Sequence, residues 1–391
     1  MNVRRRIIAV FYRELTRVWH YKAYLAVLTI LPIISLCLFA YIFIEATPRN
    51  LPIAVLDMDH SSLSRQLKSM INATPDVEIR YSVTDAEEGC KLVREGRAHA
   101  LLLIPSAFES DILNIKTTHL EAYISGSNIL INGLTSKSLL TTATTFCKGV
   151  QIQALQKQGL SAEAATAIAM PVNFSKHVMF NPYINYSYYL SPSFMPMMLL
   201  IFTMLATIFA IGSELKYASA AEWMAVADGS VFVALFSKIL PIFISMLIFL
   251  ILMFCVQFLI IGVPLNGHFS ILALGGVVFI ISYICIGITL ITITADMRLA
   301  LSLGGGYAVM AFSFSGLTFP LMAMHRGIRI LSYIFPFSYF TDIVVDQAIR
   351  GAPISRSLYN ICFMMLFWLL PLFVMGRFRE ICTQKKYWGK L

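Results

Sequence analysis

Charged side chains are scarce in this sequence, and the motifs of soluble enzymes are missing. Charged residues make up 13% of the 391 residues, whereas hydrophobic residues make up 58%. Soluble domains carry about 25% charged residues, so the composition argues against a soluble protein. The sequence has no G-x-x-x-x-G-K-[ST] motif, no Cys/His spacing of a metal site and no evident nucleophile–base or carboxylate pair. We therefore expect no enzyme activity, no catalytic residue, no metal site and no cofactor on this chain.

Long apolar runs account for much of what is present. The hydrocarbon core of a bilayer is about 30 Å thick, and a helix needs about 20 apolar residues to cross it. The first run is too long for a signal-peptide core and no A-x-A-like site follows it, which favours an uncleaved anchor. We predict an α-helical polytopic membrane protein with six transmembrane helices. The predicted spans are residues 23–44, 194–213, 238–262, 269–294, 302–323 and 357–376.

The net charge of +9 is concentrated at the two ends of the chain. Residues 1–22 carry six basic side chains and one acidic one, and residues 377–391 carry five basic side chains and one acidic one. Residues 45–193, by contrast, have a net charge of −1. Basic segments that flank membrane spans stay in the cytoplasm. We therefore expect both termini in the cytoplasm, residues 45–193 outside it, and no nucleic-acid partner.

Residues 1–22 have the pattern of an amphipathic helix. Arg6, Arg13 and Arg17 fall on one face, and apolar residues recur at helical spacing on the other. Such a helix suits the headgroup region of a membrane, so we expect it to contact lipid on the cytoplasmic side. The apolar residues are Ile7, Ile8, Phe11, Leu15, Val18 and Trp19.

The large polar segment, residues 45–193, alternates between strand and helix patterns. Short apolar or alternating runs predict strands, and capping residues followed by helical periodicity predict helices between them. We expect an inserted α/β domain in the extracytoplasmic space. Cys90 and Cys147 are the two cysteines in this segment, and a disulfide between them stays open because a sequence gives no distance. The predicted strands are 52–56, 77–83, 98–104 and 120–124.

Two polar segments and one polar side chain stand out among the later spans. Residues 213–238 form a polar loop expected in the cytoplasm, and residues 325–356 form an aromatic-rich outer loop in which re-entrant half-helices are possible. Gln257 is the clearest polar residue deep inside a span, so it is a candidate for a translocation path or for a contact between helices.

Several motifs, in order along nearly the whole chain, resemble those of the ABC-2 type exporter permeases. Residues 53–59 with Ser61 and Ser64 resemble the opening of the family's outer domain, and residues 315–320, 335–339 and 350–351 resemble its last outer loop. The most specific piece is the polar loop. It reads Ser213-Glu214-Leu215-Lys216, then Ala221-Glu222-Trp223-Met224, then Ser237-Lys238-Ile239-Leu240-Pro241.

This resemblance implies a function and partners. The chain would supply the membrane half of an ATP-driven exporter, with ATP and Mg²⁺ bound by a separate ABC ATPase subunit. Glu214, Lys216, Glu222 and Trp223 would form the ATPase-coupling contact, and residues 1–22 would be the connecting helix. The permease would pair with an identical or related permease in a bacterial inner membrane. A periplasmic adaptor and an outer-membrane channel are possible further partners.

Other functions remain open from the residues themselves. The spans contain almost no charge, which favours a hydrophobic or amphipathic substrate. An ion-coupled secondary transporter usually shows internal repeats and buried charges, and the sequence shows neither. A receptor or scaffold on the same fold would work through residues 45–193 and would tolerate changes in the loop 213–238.

Overall fold

The chain folds into two compact units. The computed structural model describes residues 3–44, 47–114, 116–172, 175–182, 184–316 and 319–389. Residues 1–46 and 185–391 form the first unit, which we call the helical unit. Residues 47–184 form the second, which we call the sheet unit.

The helical unit begins with an amphipathic helix and a long apolar one. Helix α1 is Val3–His20. After Tyr21, the chain is helical throughout Lys22–Phe43, and this stretch is long and apolar enough to cross a membrane. It consists of α2 (Lys22–Leu25), a π-helical turn (Ala26–Ile30) and α3 (Leu31–Phe43).

The sheet unit contains one four-stranded sheet in the order β2-β1-β3-β4. Strand β1 is parallel to β2 and to β3, whereas β3 and β4 are antiparallel. Its elements in chain order are β1 (Leu51–Asp57), α4 (Ser62–Asn72), β2 (Val77–Ser82), α5 (Ala86–Arg94), β3 (Ala100–Ile104), α6 (Phe108–Leu113), β4 (Glu121–Ile124), α7 (Ile129–Lys157) and α8 (Ala162–Ala169).

Helices cover both faces of this sheet. Side chains of β1 alternate between the faces, as the two-residue period of a strand requires. Ile53 and Val55 lie in a core with residues of α4, α6 and α7, whereas Ala54 and Leu56 lie in a second core with Leu92 of α5. The nearly continuous apolar run of β1 is explained by this burial on both sides.

The rest of the helical unit follows Asn185, whose side-chain oxygen accepts hydrogen bonds from the first backbone N–H groups of the next helix. In the described residues, 3₁₀ turns lie at Leu321–Ala323, Ser332–Ile334, Leu366–Leu369 and Lys385–Tyr387. Two π-helical turns, Val256–Ile260 and Val345–Arg350, follow α11 and α15. The helices are α9 (Tyr186–Lys216), α10 (Ala220–Val226), α11 (Val231–Cys255), α12 (Phe269–Thr294), α13 (Met297–Ser313), α14 (Arg326–Leu331), α15 (Pro336–Val344), α16 (Ile354–Met365) and α17 (Leu370–Thr383).

Among the described residues, five helices are long and apolar enough to span a membrane, and a bent helix pair would make six. The second span starts at Tyr186 and not at residue 194, because Pro192 and Pro196 lie inside the helix and do not begin it. Residues 269–294 match the predicted span at both ends. The candidate spans are Lys22–Phe43, Tyr186–Lys216, Val231–Ile260, Phe269–Thr294 and Ile354–Thr383.

The predicted span 302–323 differs most from the structure. Helix α13 has 17 residues and ends at Ser313, so at 1.5 Å per residue it is about 25 Å long. The motif residues Leu317 and Thr318 lie outside the described residues. The expected outer loop 325–356 is largely helical, and its parts Arg326–Ile334 and Pro336–Arg350 meet at 86°. This bent pair is the sixth candidate span.

The aromatic residues of this bent pair are mostly inside the protein. Phe337 and Phe340 are fully buried, and Phe340 stacks on Phe279 of α12 with ring centroids 4.5 Å apart. Tyr333, by contrast, is exposed. Phe337 and Phe340 therefore lie inside the protein, because α15 packs against α12.

Candidate functional site: a charge cluster beneath a short helix

Helix α10 is short and is held between two long helices. It follows α9 after a tight turn in which Ala218 has a positive φ of 55° and the backbone N–H of Ser219 donates to Glu214 O at 3.0 Å. A second turn leads into α11, with Gly229 at a φ of 74° and the Ser230 hydroxyl capping the helix. Glycine adopts this left-handed backbone without the steric cost of a Cβ.

Glu214, in the last turn of α9, accepts hydrogen bonds from several directions. The Arg13 guanidinium donates to both carboxylate oxygens, and the Ser219 hydroxyl also donates to the carboxylate. Arg17 lies 3.4 Å from Oε2. The Glu214 side chain has no solvent-exposed surface. A buried carboxylate is stable only when cations and donors replace its hydration, and here they do.

Lys238 of α11 joins Glu214 to α1. Its Nζ lies 2.8 Å from Glu214 Oε1 and also bonds to Glu14 Oε2, and all three side chains are buried. Arg13, Glu14, Arg17, Glu214 and Lys238 form what we call the charge cluster. Its two acids and three cations come from three helices, α1, α9 and α11. Because each buried charge has an opposite charge in contact, the cluster ties these helices in one relative position.

Trp223 anchors α10 to the same structure. Its ring is fully buried, its indole N–H donates to Ala234 O at 3.2 Å, and it meets Phe378 of α17 edge to face at 6.1 Å. The Lys238 ammonium lies 4.8 Å from the centre of the Trp223 ring, which is cation–π geometry. Helix α10 therefore rests on α11 and α17 through one large side chain.

The four residues expected to contact a partner divide into two buried and two accessible ones. Glu214 and Trp223 are fully buried within this chain. The Glu222 side chain is 80% exposed and lies 4.0 Å from Arg13, at the edge of the charge cluster. Lys216 is partly exposed, with its ammonium 5.5 Å from the Tyr217 ring.

Sequence reasoning did not find Glu14 and Lys238 as site residues. Glu14 is the one acid among six basic residues in positions 1–22, and Lys238 begins a long apolar run. An acid within a basic segment and a lysine beside an apolar run are both unusual, and this is the feature of the sequence that could have indicated them. The cationic face of α1 had been expected to face water or headgroups. Instead Arg13 and Arg17 point at Glu214, and Trp19 is left 72% exposed on the opposite face.

Gln257 lies in the π-helical turn Val256–Ile260 and is fully buried. Within the part of the chain that the structure describes, neither its side-chain nitrogen nor its oxygen has a hydrogen-bond partner. The cost of burying a free carboxamide is about 1–3 kcal/mol per unsatisfied group, so the position is unfavourable for folding alone. π-helical turns are often found at functional sites.

A second polar cluster lies at the end of α15. Asp346 is buried and pairs with Arg350 at 3.2 Å and with Arg356 at 2.8 Å. The backbone oxygen of neighbouring Gln347 accepts from Gly267 N at 2.8 Å. A Cβ on Gly267 would lie 2.8 Å from the backbone oxygen of Gln347, so a side chain there would require the backbone to move. These contacts join the loop before α12 to the start of α16.

The structure does not contain the Cys90–Cys147 disulfide that the sequence left open. Cys90 and Cys147 are both free, as are the other cysteines of the chain. Cys90 packs with the core on the α5 side of the sheet, whereas Cys147 is on α7, which covers the opposite face. A disulfide needs Cα atoms within about 7 Å, and a sheet lies between these two helices.

The long apolar helices define the chain as a polytopic α-helical membrane protein. Residues 22–376 match the model of the ABC-2 family transporter proteins. The chain therefore belongs to this family, and the resemblance seen in its motifs is confirmed. The family provides the membrane component of ABC transporters, which implies an ABC ATPase as partner. A comparison with the curated proteins finds no match.

Proposed function

We propose that this chain is the membrane-spanning subunit of an ATP-driven exporter. It would form the path for a hydrophobic or amphipathic substrate, while a separate ABC ATPase subunit binds ATP and Mg²⁺ and hydrolyses the nucleotide. The observation that carries the proposal is the charge cluster, which joins α1, α9 and α11, and whose Lys238 lies over the Trp223 ring of α10.

We expect α10 to move together with the helices that it contacts. Glu214 and Ser219 bracket the turn before α10, and Trp223 fixes its middle against α11 and α17. A push on α10 would therefore move α9 and α11 together, and would not simply bend a loop. Rigid-body displacement of packed helices is one of the known ways in which a local event is transmitted.

The accessible residues of α10 supply the contact surface. We assign direct ATPase contact to Glu222 and Lys216, and we assign Glu214 and Trp223 the positioning of that surface from within. Glu222 is well placed because its exposed carboxylate also lies near Arg13 of the charge cluster. If a docked ATPase displaced the Glu222 carboxylate, the displacement would act directly on Arg13 of the charge cluster.

The proposed orientation rests on the distribution of charge. Basic side chains at both ends of the helical unit favour a cytoplasmic position for both termini and for α10. The sheet unit would then lie outside the cytoplasm, on the outer side of a bacterial inner membrane, where a periplasmic adaptor leading to an outer-membrane channel would dock. We further propose a dimer with an identical or related permease, and a role for the unpaired Gln257 carboxamide in the path.

Purification in a mild detergent tests the proposed function. The chain should co-purify with a P-loop ATPase in stoichiometric amount, and the complex should hydrolyse ATP in a vanadate-sensitive manner. A chain that purifies alone and without hydrolysis would contradict the proposal. The chain would then be studied as a receptor or scaffold, and a ligand of the sheet unit would be sought.

A charge reversal tests the coupling surface. Glu222→Lys should uncouple ATP hydrolysis from export in reconstituted vesicles while the chain stays folded, because the side chain is exposed. Glu163→Lys reverses an exposed acid of the sheet unit and serves as the matched control, which should export normally. Full export by the Glu222→Lys variant would remove the assignment of this contact.

A further inference from the structure

The sheet unit contains a cavity of about 330 Å³ between α6 and α7. Its apolar part is lined by aliphatic side chains, among them Ile112, Val150 and Leu155. Pockets that hold small molecules have about 300–1,000 Å³ and are mostly apolar with a few polar groups. The cavity therefore has the size and lining of a site for a small ligand, and it lies wholly within the sheet unit.

The lining of the cavity carries positive charge, from a lysine. Among the described lining residues the polar ones are one lysine, two threonines, two glutamines and one cysteine, and none of these lining residues is acidic. In the described parts of the chain no carboxylate forms an ion pair with the lysine, Lys116. An ammonium beside hydroxyl and amide donors attracts a carboxylate, sulfate or phosphate group.

The position of Lys116 is set by the chain just after α6. Its backbone N–H donates to Asp111 O at 2.8 Å, which closes a turn after the helix. Lys116 lines the cavity together with aliphatic residues of α6 and with Cys147 of α7. The cavity thus combines an apolar surface with one cation on its lining.

We propose that this cavity binds a single-chain anionic amphiphile, with the anionic head on Lys116 and the apolar chain between α6 and α7. Its volume of about 330 Å³ lies at the lower end of the range for small-ligand pockets, which favours one short chain. The proposal does not depend on the exporter function, because it concerns the sheet unit alone.

Cys147 gives a local readout of occupancy. It is a free, exposed thiol on the lining, whereas Cys90 of the same unit lies on the opposite face of the sheet. The full chain in nanodiscs of zwitterionic lipid would be alkylated with N-ethylmaleimide, and each cysteine followed by peptide mass spectrometry. Partial burial raises the pKa of the Cys147 thiol, so all rates are compared at one pH.

Decanoate is the probe, and decyltrimethylammonium is its cationic counterpart. At ten times its dissociation constant, decanoate should slow alkylation of Cys147 about tenfold by mass action and leave Cys90 unchanged. Decyltrimethylammonium at the same concentration should protect Cys147 far less. Equal protection by both amphiphiles, protection of Cys90 as well, or no protection would each overturn the proposal.

Variants test whether the charge of Lys116 itself is needed for binding. Lys116→Gln should weaken decanoate protection about tenfold, since a hydrogen bond to a charged group is lost. Lys116→Arg should retain most of it. Lys137→Gln removes an exposed cation ten positions before Cys147 on the same helix, about 15 Å away, and should leave protection unchanged. Equal loss in the Lys116→Gln and Lys137→Gln variants would show a general charge effect and contradict the site.

Discussion

The ammonium of Lys238 lies 2.8 Å from the carboxylate of Glu214, and neither side chain has any exposed surface. The two residues belong to helices on either side of α10, and Lys238 also bonds to Glu14 of α1. A single buried cation therefore connects three helices. Lys238 also lies over the Trp223 ring of α10, the short helix that a partner ATPase would contact.

Removal of the central cation should destabilise the helical unit. Lys238→Met keeps an unbranched side chain that is one atom shorter, but it leaves the Glu14 carboxylate buried without its cation, and breaking such a pair costs about 3–5 kcal/mol. Thermal unfolding in detergent should therefore shift well below that of the unchanged chain. Glu214 should be affected less, because Arg13 and Arg17 remain.

A double-mutant cycle distinguishes this ion pair from simple packing. Glu14→Gln with Lys238→Met should be more stable than Lys238→Met alone, because no unpaired buried charge is left. Strictly additive losses in the two single variants would show that Glu14 and Lys238 do not depend on one another.

Trp223 and Glu222 should behave differently although they are adjacent. Trp223→Ala removes a fully buried ring and its hydrogen bond to Ala234 O, and should cost about 3–5 kcal/mol. Glu222→Ala changes an exposed side chain and should stay within about 0.5 kcal/mol. Unfolding midpoints of the two variants, measured together, check this. A near-neutral Trp223→Ala variant would contradict the anchoring role of the indole.

Acid should weaken the sheet unit through Asp57. Burial alone raises the pKa of this carboxyl, but the Lys68 ammonium at 2.6 Å and donors from His60 and Ser64 outweigh it, so the pKa lies below its usual range. A lowered folded-state pKa gives stability that is present above the unfolded pKa of about 3.9 and is lost as pH falls through the folded value.

Hydrogen exchange of the β1 peptide, corrected for intrinsic rates, checks the effect of Asp57. Protection should fall as the pH drops below about 4. The Asp57→Asn variant should be less protected at neutral pH and should show a smaller acid dependence. The same acid dependence in both proteins would assign the effect to other carboxyls.

Gly351 should not tolerate a side chain. It has a φ of 64°, and a Cβ there would lie 3.0 Å from Asn266 O. Gly351→Ala should therefore destabilise by more than about 1 kcal/mol, since a strained backbone and a close contact add. Gly376→Ala, in the exposed part of α17 with open space around the position, should be neutral or stabilising. Similar unfolding midpoints for the two variants would contradict the strain.

The sequence by itself determined where most apolar helices lie. A helix that crosses a bilayer needs a long apolar run whatever its neighbours are, so residues 269–294 could be read directly as a span. The strand Val77–Ser82 was similarly predictable, because alternation is a local property of the chain. The ABC-2 motifs were recognisable because they are short and local.

Only the tertiary structure decided which charges meet. Glu14 and Lys238 are 224 positions apart, and no local pattern shows that their side chains share one buried site. The same holds for Glu214, whose motif suggests an accessible loop although three cations cover it. Burial depends on how distant helices pack, and it changed the role assigned to Glu214 and Trp223. It also separated Cys90 from Cys147, because a sheet lies between their helices.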